Sequence, residues 1–213
     1  MKTEQILTDT LKYYYPEATY ITEESEKIIG NEEMIVIDPI DGTTNFIHGI
    51  PLVGIVIAKI INEEITDGVI YNPILDDFFW ASKGKGSWCN NNRLRVSKRQ
   101  DIIDCIIGTG IPHMDRIYPQ YLKEIDAITK NCAGLRRMGA ASIDLAYVAA
   151  GKLDAYWERN LNIWDVSAGV LLVKEAGGRA SQPNGESWDI HSKDILVSNS
   201  NIHEIIQEKL EII

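Results

Sequence analysis

Two carboxylates stand three residues apart at the end of the segment Met34-Ile35-Val36-Ile37-Asp38-Pro39-Ile40-Asp41-Gly42-Thr43-Thr44-Asn45. The apolar run reads as a buried strand that ends at Asp38, where an unpaired negative charge is costly. The carboxylates need a cation, and the successive amides and hydroxyls of Gly42, Thr43 and Thr44 suit an anion. Mg2+ prefers hard oxygen ligands and is commonly held by a few carboxylates together with a substrate phosphate, so metal plus phosphate is one chemistry for this segment. A hairpin is the bland alternative, because Asp-Gly is a strong turn signal.

A second candidate is Asp165, which follows Trp164 at the start of a helical pattern that runs to Ala176 and stops at Gly177-Gly178. Asp is a favoured N-cap and Gly a favoured C-terminal stop, so the residue is expected to cap the helix. Its carboxylate then sits at the positive end of the helix, where it stays ionised and can face a metal and a phosphate together. The acidic cluster Glu23-Glu24-Ser25-Glu26 reads, by itself, as a solvated face.

Elements that could position these residues are legible along the chain. The spacing of Leu7, Leu11 and Tyr14 or Tyr15 predicts a short opening helix stopped by Pro16. Residues 53–61, 65–71, 78–81 and 86–96 are β-rich and divided by turn signals, which predicts antiparallel hairpins. Beyond Arg99 the pattern changes to helices at 119–131, 142–150 and 165–176 and short strands near 105–108, 154–157 and 195–198. A last helix at 202–210 is expected to be capped by Asn201. The fold class is therefore α/β, with sheets and helices in layers, and subdomains at 1–99 and 100–213 that share a core.

Composition narrows the function classes. The chain has 213 residues, 45% of them hydrophobic, and a formal charge of −10. That charge disfavours nucleic acid, and the basic cluster Lys83, Lys85, Arg93, Arg95, Lys98 and Arg99 reads as a solvated face. No run approaches the roughly 18 apolar residues that cross a bilayer, and residues 1–5 lack the apolar stretch of a signal peptide, so the reading is a soluble, cytoplasmic protein. Cys89, Cys105 and Cys132 form no C-x-x-C pair and read as buried reduced thiols. His48, His113, His191 and His203 lack metal-ligand spacing and read as structural or surface residues, and the five tryptophans as core or interface. Gly108-Thr109-Gly110 is too incomplete for a dinucleotide fingerprint, so no nucleotide cofactor is expected.

Asp38-Pro39-Ile40-Asp41-Gly42-Thr43-Thr44-Asn45-Phe46, Trp164-Asp165 with Ala168-Gly169 and Glu175-Ala176-Gly177-Gly178, and Glu23-Glu24-Ser25 together resemble the signature segments of the inositol monophosphatase family, in that family's order. The resemblance runs from residue 3 to the C-terminus and takes in Arg137-Met138-Gly139-Ala140-Ala141 and Glu158. It implies the layered α/β fold of the sugar phosphatases, two or three Mg2+ ions, inhibition by Li+, a homodimer, and a small phosphorylated polyol as substrate. Glu23, Asp38 and the carbonyl of Ile40 would hold one ion, and Asp38, Asp41 and Asp165 a second. The amides of Gly42 and Thr43 would bind phosphate, Thr43 would orient the attacking water, and Gly139, Ala141, Glu158 and Asp165 would receive the substrate's hydroxyls.

The activity so implied is Mg2+-dependent hydrolysis of a phosphomonoester, foremost myo-inositol 1-phosphate. Fructose 1,6-bisphosphate, 3′-phosphoadenosine 5′-phosphate and histidinol phosphate are the alternative substrates. A binding relative that meets the transcription machinery is the alternative class. Only 22 residues precede Glu23, so the usual first N-terminal helix of the family, with the acidic partner it supplies to Thr43, is expected to be missing.

Overall fold

The computed structural model describes residues 2–25, 27–111 and 119–211; Glu26 and His113 lie outside them. The opening helix α1 (Lys2–Tyr14) lays Leu7 and Leu11 against Ala18, Tyr20, Ile35 and Ile37, the small core that its apolar spacing implied. β1 (Thr19–Thr22) pairs in parallel with β2 (Glu33–Asp41). β3 (Gly54–Ile61), β4 (Glu64–Asn72), β5 (Asp77–Ser82), β6 (Gly86–Cys89) and β7 (Asn92–Arg93) then follow as an antiparallel meander in chain order. Alternation in β3 sends Val56, Ala58 and Ile60 into the core, as a two-residue period requires.

The second sheet places β11 (Arg179–Ser181), β12 (Ile195–Ser198), β10 (Ala155–Glu158), β8 (Ile106–Thr109) and β9 (Gly134–Arg136) side by side in that order. Two helices fill the space between the sheets, α4 (Ala141–Ala149) and α5 (Ile163–Glu175). Both are apolar nearly all round, and a helix of that kind belongs in the interior. The helices α3 (Pro119–Thr129) and α6 (His203–Glu211) cover the outer face of the second sheet over Ile107, Ile128, Trp157, Leu196, Ile206 and Leu210. The order of layers is thus helix, sheet, helix pair, sheet, helix pair, and the largest core draws on both halves of the chain. Among the described residues no helix is long and apolar enough to cross a membrane.

Several local expectations are corrected. Asp41-Gly42 does not turn a hairpin; β2 runs straight into a one-turn helix, α2 (Thr43–Ile47). Asn201 does not cap α6: the helix begins at His203, Asn201 Nδ2 donates to the carbonyls of Lys98 and Arg99, and Asn199 Oδ1 accepts the Ile202 N–H at 3.3 Å. Of the cysteines only Cys105 is fully buried, and Cys89 and Cys132 are half-buried. Trp157 and Trp188 lie in the core, whereas Trp80 and Trp88 stack at 5.8 Å on the half-buried face of β5 and β6. His203 is buried between the hydroxyls of Ser181 and Ser198, and burial pushes its pKa down to about 4, as befits a structural imidazole.

Candidate active site

A strand with a regular two-residue period would send Asp38 and Asp41 to opposite faces. The pairing of β2 with β3 prevents this, since Asp38 lies opposite Val56 and Asp41 opposite Gly54, so β2 carries one residue more than its partner. That extra residue makes a β-bulge at Pro39-Ile40, where proline has no N–H to give to the ladder. Val56 and Gly54 share a face of β3, and the bulge therefore turns both carboxylates to the same side of the sheet.

Each carboxylate is then fixed by backbone. Asp38 is 2% exposed, and its Oδ1 accepts the Ile40 N–H at 2.9 Å. Asp41 reaches the first turn of α4, where its Oδ2 accepts the Ser142 N–H at 2.7 Å and a short bond from the Ser142 hydroxyl. The contact serves α4 as well, because its N-cap residue is Ala140, which has no side chain to offer. Gly54 makes the room, since a Cβ there would stand 2.4 Å from Ser142 Oγ.

Asp165 approaches from α5. It is not the N-cap that its position after Trp164 suggested; Asn162 is the cap, and Asp165 is the third helical residue, whose Oδ2 accepts the Asn162 N–H at 2.7 Å. The carboxylate still lies in the first turn, so the electrostatic argument survives the correction. Glu158 closes β10 and accepts a short hydrogen bond from the buried Tyr156 hydroxyl. Its carboxyl lies against Gly110, where a Cβ would come within 1.9 Å.

All ten residues singled out in the sequence line one cavity of ≈ 430 Å³: Glu23, Asp38, Ile40, Asp41, Gly42, Thr43, Gly139, Ala141, Glu158 and Asp165. Glu23 belongs to an exposed loop and yet lines the cavity, so this member of the acidic cluster does more than face solvent. Thr43 Oγ1 donates to the Ile40 carbonyl at 3.1 Å, which leaves its lone pairs to accept from a third group. Asn45 ties the segment to the opposite wall, since its amide donates to the carbonyls of Leu52 and Met138 at 2.8 Å each. Arg137, Arg159 and Asp144 also line the cavity and were not foreseen. Arg159 is neutralised by Glu124 at 2.7 Å and Asp194 at 2.8 Å.

The cavity gathers carboxyl groups, most of them partly or fully buried. Burial, reinforced by the charges of Asp41, Glu23 and Asp165, pushes Asp38 up to about 10. Burial raises Asp41 to about 6 against the pull of its Ser142 bonds, and lifts Asp165 and Glu158 each to about 7. Asp144 stands well above the usual carboxylate range for the same cause, with Glu158 and Asp41 adding to it, and its Oδ1 has no hydrogen-bond partner among the described residues. Among those residues no three His, Cys, Asp or Glu side chains converge tightly enough to clasp a metal as they stand. The donor set, entirely oxygen, suits a hard divalent cation.

Comparison with known proteins agrees with the sequence. The family model described as "Inositol monophosphatase family" matches residues 1–213. The chain is 43% identical to an inositol-1-monophosphatase of Caulobacter vibrioides, covering 99% of this chain and 84% of that one. It is 41% identical to the Nus factor SuhB of Pseudomonas aeruginosa, covering 92% of this chain and 75% of the relative. The solved structure of the extragenic suppressor protein suhB from Bartonella henselae superposes with a TM-score of 0.95 at 42% identity, covering 99% of this chain and 83% of the other. By sequence and by fold, this chain belongs to the inositol monophosphatase family.

Proposed function

We propose that this chain hydrolyses a small phosphomonoester, foremost myo-inositol 1-phosphate, with Mg2+ as cofactor. The observation that carries the reading is the bulge at Pro39-Ile40, which puts Asp38 and Asp41 on one face of the sheet, in a cavity they share with Asp165 and Glu23. Relatives named inositol-1-monophosphatase support the substrate.

In this reading Glu23, Asp38 and the Ile40 carbonyl hold one Mg2+, and Asp38, Asp41 and Asp165 another. Bound there, the ions supply charge neutralisation for the phosphate and a water of lowered pKa. The protein's own part is to place and to hold. Asp38 stays behind the others as the shared, most buried carboxylate. Thr43, anchored on Ile40, offers an oxygen to the proton of the attacking water, and the amides of Gly42 and Thr43 face the phosphate. Glu158, held by Tyr156, accepts a hydroxyl of the polyol, and the Gly139 to Ala141 segment shapes the wall beside it. In-line attack by water on phosphorus needs no protein nucleophile.

A panel of phosphomonoesters tests the assignment. With Mg2+, inositol 1-phosphate is expected to give a higher kcat/KM than fructose 1,6-bisphosphate, 3′-phosphoadenosine 5′-phosphate and histidinol phosphate. A different winner keeps the chemistry and replaces the substrate. A second reading, a binding role in transcription, is favoured by the relatives named Nus factor SuhB. A folded chain that hydrolyses none of these esters would move the assignment to that reading.

A further inference from the structure

Glu4 lies in the first turn of α1 and is 4% exposed, a depth at which a carboxylate needs hydrogen-bond partners. Its partners come from the acidic loop. Glu4 Oε2 accepts the Glu24 N–H at 3.1 Å, and Oε1 accepts a short bond from the Ser25 hydroxyl. The loop is closed at its base by the Tyr20 and Ile28 backbone pair, whose two hydrogen bonds measure 2.8 and 3.0 Å. Glu23, Glu24 and Ser25 are exposed at its tip, and Glu4 reaches across 20 residues of sequence to hold the two that follow Glu23. Each oxygen of one carboxylate is thus committed to the residues next to the cavity's loop-borne acid.

We infer that Glu4 is a positioning residue, which fixes the backbone of the Glu23-Glu24-Ser25 loop so that the Glu23 carboxylate is presented to the cavity. The inference rests on the reading of Glu23 as a metal ligand. Glu4 stands behind the loop, not on the cavity wall, and acts through hydrogen bonds instead of charge. Charge and clamp are separable, because a glutamine at this position keeps the clamp: its carbonyl takes the Glu24 N–H, and its amide donates to Ser25 Oγ, which turns to accept. Alanine removes both bonds.

Calorimetric titration of the 213-residue chain with Mg2+ alone, together with amide exchange at Glu24 in metal-free protein, tests this. Glu4→Ala is expected to weaken Mg2+ about tenfold and to speed Glu24 exchange at least as much, the scale seen when a ligand's supporting hydrogen bonds are removed. Glu4→Gln is expected to stay within about threefold of the parent chain in both, under 1 kcal/mol. A folded Glu4→Ala with unchanged Mg2+ affinity overturns the inference, and so does a Glu4→Gln as weak as Glu4→Ala, which would mean that the charge is what matters. If Glu4→Ala does not fold, Ser25→Ala deletes one of the two bonds, and an unchanged affinity there overturns the inference equally. A parent chain that takes up no Mg2+ overturns the metal reading itself and the inference with it, an outcome distinct from one in which parent and Glu4→Ala bind equally well.

Discussion

The two acidic stretches that face the cavity are built in opposite ways. Asp38 and Asp41 belong to the interior strand β2, are fixed by backbone amides and a helix end, and sit where burial raises their pKa values and so favours the protonated form. Glu23 belongs to an exposed loop whose tip is tied down by one distant side chain. The contrast separates two tasks. The strand supplies carboxyls placed by the backbone in a buried setting, and the loop supplies an exposed acid held in place by a side chain from α1.

The sharpest way to break this contrast is Asp38→Asn. Activity is expected to fall at least about a hundredfold, since a shared ligand is lost, while the metal-free protein at pH 7 keeps its melting temperature within about 2 °C, because a carboxyl raised to about 10 is already neutral there and asparagine replaces one neutral group by another. A clearly higher melting temperature would mean that Asp38 is charged in the metal-free fold, against its raised pKa. Ser142→Ala comes next. Asp41 loses the hydroxyl and keeps the amide, so Mg2+ affinity should weaken about tenfold with substrate KM little changed, measured by titration and steady-state kinetics. Glu158→Gln should do the reverse, raising KM for inositol 1-phosphate about tenfold with a smaller effect on Mg2+ affinity.

A gentler probe is pH. The raised carboxylates bind protons in the folded state that they have released in the unfolded one, so metal-free stability is fully present below their ordinary values near 4 and falls as pH rises through about 7, where Asp165 and Glu158 ionise. Thermal unfolding without metal should therefore give a higher melting temperature at pH 5 than at pH 8. Added Mg2+ should stabilise the protein more at pH 8 than at pH 5, and an equal gain at both would argue that these groups do not face the ion.

Much of this was legible in the sequence, for identifiable reasons. Apolar spacing located α1, which buries one face, β-rich composition between turn signals located β3 and β4, and the Gly177-Gly178 stop marked the end of α5. The motif residues located the cavity wall. What stayed hidden depends on contacts between distant residues. A three-residue spacing cannot say that Asp38 and Asp41 share a face, because the extra residue at Pro39-Ile40 exists only against the register of β3. Ser142 reads as an ordinary helix residue until Asp41 is placed beside it, and Gly54 as an ordinary strand glycine until Ser142 is. Asp165 and Asn201 look like N-caps, yet Asn162 caps α5, and Asn199, not Asn201, accepts the Ile202 N–H just before α6. Glu4 carried no local signal beyond being an acid in the first turn of a helix.

Phosphate release from inositol 1-phosphate, followed for the purified 213-residue chain with and without Mg2+, tests the metal site most directly. Turnover that appears with Mg2+ and vanishes when a chelator removes it is the expected result. Turnover of equal rate in both conditions would contradict the account, since the cavity's carboxyl groups would then meet the substrate's phosphate without the ions that the account places between them.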